Sequence, residues 1–266
     1  MDVGIRSPFL DFFRRGEVAK DVRMLAARGA LAPRAHEQLA LLALLTEDAD
    51  VEVRGVAEST LAAIPDGSLA VFLGRADVPD GLREFFHARG IEPDLTAPTE
   101  SDEPLVDAEP ARAEGSVPEA SVTAGTEDSE RTGAAQKLAL MNVAERMKCA
   151  MKGTKEERAV LVRDPNKLVS VSVLSSPKLS ESEVENFAKM ANVSEEVLRI
   201  IGMNRGWIKN YGVIAALTRN PKTPLGVSMR FVQRLSERDL KLIALDRNLQ
   251  EPLKLLVRKR LQGGDK

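Results

Sequence analysis

The sequence predicts an all-α chain in which two helical-repeat units, residues 1–92 and 134–266, are joined by a disordered acidic linker, residues 93–133. Three observations carry this prediction. The stretch from Leu161 to Gly202 aligns without a gap on the stretch from Leu217 to Arg258, a shift of 56 residues. The identical pairs include Leu161/Leu217, Arg163/Arg219, Pro165/Pro221, Val171/Val227, Ser172/Ser228, Leu179/Leu235, Ser180/Ser236, Glu181/Glu237 and Ala188/Ala244, and a fixed period of this size marks a helical repeat array. On both sides of the linker, apolar residues recur at the 3.6-residue spacing of helices. Between them, from Pro93 to Gly133, there is neither a period nor an aromatic residue.

Composition agrees with a helical core. Apolar residues make up 43% of the 266 residues and aromatics only 4%, so the interior must be Leu, Val, Ala, Ile and Met, a mix suited to helices more than to a sandwich. The single cysteine, Cys149, excludes an intrachain disulfide and fits a reducing compartment. The start, MDVGIRSPFLDFF, lacks a basic n-region and a long apolar h-region, so no signal peptide is expected. The longest apolar run, Leu39 to Leu45, is far too short to span a bilayer. A soluble cytoplasmic protein without membrane contact is expected.

In the first unit, Pro33 opens a helix through Leu39–Leu45 that is apolar all round and therefore buried. Val53, Val56, Ala57, Thr60, Leu61 and Ile64 recur at amphipathic helical spacing. The same region can be laid on the repeat as a degenerate third copy, with Asp48 on Asp164, Val53 on Val169 and, after one inserted residue, Val78 on Val193. The linker is rich in Pro, Ser, Thr, Glu, Asp, Ala and Gly and cannot bury enough apolar surface to offset its ordering entropy. Its 41 residues span about 35–40 Å as a flexible coil, enough for the two units to move independently or for the linker to fold back.

The second unit has sharp helix signals. Leu140, Ala144, Met147 and Met151 form one apolar stripe, and Leu253, Leu256, Val257 and Leu261 form another ahead of a fraying end from Gln262. Thr154 with Glu157 and Ser180 with Glu183 make capping boxes, and Ser236 with Asp239 a shorter analogue. Thr223 followed by Pro224 reads as a cap and a first-turn proline, and Asp164-Pro165 and Asn220-Pro221 turn one helix into the next.

RDPNKLVSVSVLSSPKLSESEV, from Arg163, and NRGWIKNYGVIAALTRNPKTPLGVSMRF, from Asn204, resemble a bacterial family of α-helical repeat proteins of the HEAT/ARM-like and leucine-rich-repeat-variant types. LTEDADVEVRGVAESTLAAI, from Leu45, likewise resembles a HEAT-type helix. The main resemblance covers about half the chain, roughly Gly153 to Leu261, and implies an α-solenoid or superhelical bundle. The family has no assigned reaction, so it implies no catalytic residue.

No metal, cofactor or catalytic site is expected. His36 and His87 lie far apart, no HExxH or CxxC is present, and Gly202 to Gly206 lacks the Gly-Lys-Ser/Thr ending of a phosphate loop. Glu156-Glu157 and Glu195-Glu196 fall in first helical turns, where the helix dipole favours them without any catalytic role. The candidate partner-binding surface is Arg205, Trp207, Lys209 and Tyr211, together with the repeated Arg163 and Arg219. Trp207 and Tyr211, four apart, can instead form a buried stripe with Ile214 and Ala215, and each repeated arginine can bond the last carbonyls of its own helix. Residues 1–92 carry 11 basic and 15 acidic groups, residues 93–133 carry 2 and 11, and residues 134–266 carry 25 and 14, giving net charges of −4, −9 and +11. Such asymmetry speaks of partners rather than fold. The expected role is a non-enzymatic scaffold for another protein with an acidic surface; the alternative is a nucleic-acid-binding module, and salt dependence separates the two. The linker is also expected to touch the basic unit at low salt.

Overall fold

A computed structural model describes residues 7–32, 34–96, 101–106 and 136–263, and among these no strand occurs. The N-terminal part forms α1 (Pro8–Arg14), α2 (Lys20–Ala27), α3 (Ala35–Leu45), α4 (Val51–Ala62), α5 (Asp66–Leu73) and α6 (Asp80–His87). The all-apolar stretch of α3 is buried apart from the partly buried Leu44, because α1, α2, α4 and α6 all pack on it. α4 turns Val53, Ala57 and Leu61 inward and is capped by the Asp50 carboxylate, which accepts from the Glu52 N–H. Arg34 stands at the N-cap of α3; Pro33, expected to open it, lies outside the described residues.

The C-terminal part forms α7 (Val143–Lys152), α8 (Lys155–Leu161), α9 (Lys167–Ser172), α10 (Glu181–Lys189), α11 (Glu195–Met203), α12 (Tyr211–Arg219), α13 (Leu225–Phe231), α14 (Glu237–Leu245) and α15 (Glu251–Gly263), with short 3-10 turns at Val173–Ser175, Trp207–Lys209 and Val232–Arg234. Helix starts recur at the 56-residue shift: Lys155 and Tyr211, Glu181 and Glu237, Glu195 and Glu251. The expected caps are in place at Thr154/Glu157, Ser180/Glu183 and Ser236/Asp239. One start slips. Asn166 caps α9 by accepting from the Leu168 N–H at 2.9 Å, but the matching residue is Lys222, which has no acceptor, and α13 begins only after Pro224. Thr223, expected to cap this helix, is instead buried with its hydroxyl unpartnered.

The turn between helices is built the same way in all three aligned places. Asp48 Oδ1 accepts from the Asp50 N–H at 2.8 Å, Asp164 Oδ1 from the Asn166 N–H at 2.8 Å and Asn220 Oδ1 from the Lys222 N–H at 3.0 Å. The first two carboxylates also take an arginine from a preceding helix, Arg23 and Arg146, each at 2.5 Å. At the third turn the residue matching Arg146 is Gly202, where a Cβ would lie 2.4 Å from Val227 Cγ1. No side chain fits there, and Asn220 donates its amide instead to the Ala188 and Met190 carbonyls at 2.8 and 2.9 Å.

Three further expectations are corrected. Leu140 is 91% exposed: a helical turn over residues 136–139 ends before it, and Asn142 caps a separate helix that carries Met147 and Met151 inward. The last helix continues through Gln262 to Gly263 rather than fraying there. The stretch assigned to the linker also begins with placed residues. The Asp94 N–H donates to the Ala70 carbonyl at 2.8 Å, and residues 101–106 lie along α3, so a disordered segment does not begin at Pro93. Buried apolar contacts and backbone hydrogen bonds from Gln38 outweigh the local polarity of this stretch. The remaining linker residues, 97–100 and 107–133, lie outside the described residues.

α1 packs on α9 and α2 on α7, so the apolar interior runs without interruption from the N-terminal helices into the C-terminal ones. Phe12, Val143 and Leu168 border one depression at this joint.

Candidate functional site

The joint leaves an open groove of about 860 Å³ on one side of the molecule. α1 contributes Pro8, Asp11 and Arg14, with Arg15 just beyond it; the start of α3 contributes Arg34, His36 and Glu37. The opposite wall is Val171 and Leu174 from the α9 region and Glu196, Arg199, Ile200 and Met203 from α11, with Trp207 at its end. Its chemistry is arginine, thioether and indole, the residue types enriched where proteins meet. Met203 is 58% exposed, although an unbranched apolar side chain gains by leaving water.

The groove's charges are mostly paired. Arg14 lies 3.3 Å from Asp11, Arg199 Nε donates to Glu196 at 3.0 Å and Arg15 Nε lies 3.5 Å from Glu17. The Arg34 carbonyl accepts from the Gln38 N–H at 2.9 Å, while its guanidinium makes no hydrogen bond or ion pair among the described residues. Glu37 is only 6% exposed, and its Oε2 is buried without a hydrogen-bond partner. Burial pushes this carboxyl above its ordinary value, opposed by His36 and Arg34 nearby. A buried polar atom without a partner is uncommon in a folded chain, and this one lines the groove.

The six residues expected to form one surface do not stay together. Trp207 sits on its own 3-10 turn, seated by Asn204, whose Oδ1 accepts from the Gly206 N–H at 2.9 Å. Asn210 then caps α12 afresh, so Trp207 and Tyr211 do not share a helix face, and the buried stripe expected of them is carried by Val213, Ile214 and Leu217. Trp207 packs half-buried between core and groove, with Arg205 and Lys209 exposed on the same turn. Tyr211, 44% exposed, and Arg219 converge instead on Asp239. Burial would raise the Asp239 carboxyl, but hydrogen bonds from Tyr211 and Ser236 and the charge of Arg219 hold it below the ordinary range. Arg163 does cap its own helix, its Nε donating to the Ala159 carbonyl at 3.0 Å; Arg219 pairs across to the start of α14 instead. Of the six, Trp207 alone lines the groove, and three of the others are engaged in local structure.

Cys149 is half-buried, its Sγ 3.7 Å from Met141 Sδ. Burial first, then the charge of Glu157, pushes its thiol up, the reverse of what a reactive thiolate needs. His36 meets Asp102 at 2.8 Å and His87 meets Glu92 at 3.0 Å. Among the described residues, no three His, Cys, Asp or Glu side chains are grouped to hold a metal ion, and no single helix is long and apolar enough to cross a membrane. No family model, curated protein or solved structure matches the chain.

Proposed function

We propose that the chain is a non-enzymatic scaffold of the α-solenoid type, related to HEAT/ARM-like repeats, which holds a segment of another cytoplasmic protein in the groove. The observation that carries this reading is Trp207 beside the exposed Met203 at the end of a groove lined by Arg14, Arg15, Arg34 and Arg199. Buried aromatic and arginine anchors supply most of the binding energy at protein interfaces, and the Arg34 guanidinium, unpaired among the described residues, can take an acidic partner side chain, so a partner with an acidic surface is favoured. Glu37 adds a buried acceptor that an incoming N–H can satisfy. The +11 balance of residues 134–266 also fits a nucleic acid, whose binding would weaken steeply with salt.

The test uses the full chain as bait beside its Trp207→Ser and Arg205→Ser variants. A partner held by the groove is retained by the parent and by Arg205→Ser, is lost from Trp207→Ser, and survives nuclease treatment and raised salt. Loss from all three baits after nuclease would make the chain a nucleic-acid binder. Equal retention by parent and Trp207→Ser, with both variants melting like the parent, would move the site out of the groove.

A further inference from the structure

Away from the groove floor, the N-terminal helices already hold a peptide. Residues 101–106, Ser-Asp-Glu-Pro-Leu-Val, lie across the start of α3, held largely through their own backbone. Gln38 is 1% exposed, and every hydrogen-bonding position of its amide is used. Its Oε1 accepts from the N–H groups of Leu105 and Val106 at 2.8 and 3.1 Å, while its Nε2 donates to the carbonyls of Val106 and Gly29 at 2.8 and 2.9 Å. One buried side chain thus offers an extended segment the alternating donor and acceptor of a strand edge, the means by which peptides are read independently of their side chains.

Specificity comes from both ends of the segment. Asp102 occupies the first turn of α3, where Arg34 provides no side-chain cap. Its carbonyl accepts from the Ala35 N–H at 3.0 Å, and its carboxylate takes the His36 N–H at 3.4 Å and the His36 ring Nδ1 at 2.8 Å. A helix start favours an anion in this position. Arg75 adds a bond to the Ser101 carbonyl at 2.5 Å and lies 3.8 Å from the Asp102 carboxylate. At the other end, Leu105 and Val106 pack half-buried on the core. Gly29 makes this approach possible: it ends α2 at φ +78°, and a Cβ there would stand 3.2 Å from both Val106 Cβ and Gln38 Nε2.

We propose that this face is a docking site for extended acidic peptides carrying an aspartate three and four residues ahead of two aliphatics, and that residues 101–106 are its resident ligand in cis. A protein partner bearing the same pattern would displace the resident segment. Tethering favours the resident by effective concentration alone, so a trans ligand must carry a better match or a second contact. His36 is shared between this face and the groove wall, but the inference does not depend on what the groove binds.

The experiment uses a fluorescein-labelled peptide spanning residues 100–108, Glu-Ser-Asp-Glu-Pro-Leu-Val-Asp-Ala, and a full chain whose own segment carries Asp102→Gly, Leu105→Gly and Val106→Gly. Fluorescence anisotropy should show binding to the vacated chain at least about tenfold tighter than to the parent. A peptide with both the first aspartate and the leucine replaced by alanine should lose about tenfold or more. Equal, undetectable binding of both peptides to a vacated chain with parental helicity would overturn the proposal. The parent supplies a second reading by hydrogen exchange. The Leu105 and Val106 amides should be protected, and excess peptide should accelerate their exchange. Amides exchanging at the free-peptide rate would refute cis docking, and protected amides unmoved by saturating peptide would refute an exchangeable site.

Discussion

Replacing Arg158 with alanine is expected to destabilise the chain by about 3–5 kcal/mol, the typical result of stripping one partner from a buried ion pair. Arg158 and Glu183 are each only 5% exposed at the side chain. The arginine reaches Glu183 Oε1 through Nε and Nη2 at 3.0 and 2.8 Å and donates from Nη1 to the Gly153 carbonyl at 2.9 Å. The other carboxylate oxygen accepts from the Ser180 N–H at 3.0 Å and its hydroxyl at 2.9 Å, so the pair also fixes the start of α10. Removing the cation strands the anion. Combining Arg158→Met with Glu183→Leu should recover most of the loss, because an apolar pair of similar volume needs no desolvation. The pH dependence has a definite sign. Burial works to raise the Glu183 carboxyl, yet the Ser180 N–H and hydroxyl and the Arg158 charge hold it below its ordinary value. Its stabilisation is therefore whole above the unfolded value, about 4.3, and is lost as pH falls through the folded one. Denaturant midpoints should drop on that acid limb in the parent and show less of the drop in the double variant. Glu37 acts oppositely: its raised carboxyl contributes below the unfolded value and loses that contribution as pH rises.

Phe12→Ala should cost about 3–5 kcal/mol as a large-to-small change in a packed interior, and it should also uncouple the two ends of the chain. Phe12 is buried where α1 meets α9, with the Arg15 guanidinium 4.8 Å over its ring. Trp207, the only tryptophan, reports on the C-terminal helices. In the parent, its fluorescence transition and the far-ultraviolet circular dichroism transition should coincide, as expected of one cooperative unit. In Phe12→Ala they should separate. Coincident transitions in a destabilised variant would show that the joint is held elsewhere.

The residues that were legible in sequence are those whose cause is local. Thr154, Ser180 and Ser236 cap because a hydroxyl and an acid three residues on suffice, whatever packs above them. The Asp48, Asp164 and Asn220 turns could be aligned because each closes within two residues. Leu140 keeps the spacing of the stripe but not its burial, because Asn142, three residues before Glu145, breaks the helical run there and starts a new helix. Asn210 before Tyr211 similarly divides Trp207 from its expected helix. The groove has no local signature, since Arg14, Arg34 and Arg199 line one groove only because α1 packs on both α3 and α9, and α9 in turn on α11. Gln38 is equally hidden, a polar residue just ahead of an apolar run, with partners 67 and 68 positions away.

The most direct measurement is site-specific photo-cross-linking in the native host, with a photoreactive residue placed at Met203 in the groove or at Leu245, more exposed but outside it. A protein-binding groove gives one discrete protein adduct from position 203, absent from position 245 and abolished by adding Trp207→Ser. Equal adducts from both positions, or nucleic-acid adducts from 203, would contradict a protein-binding groove.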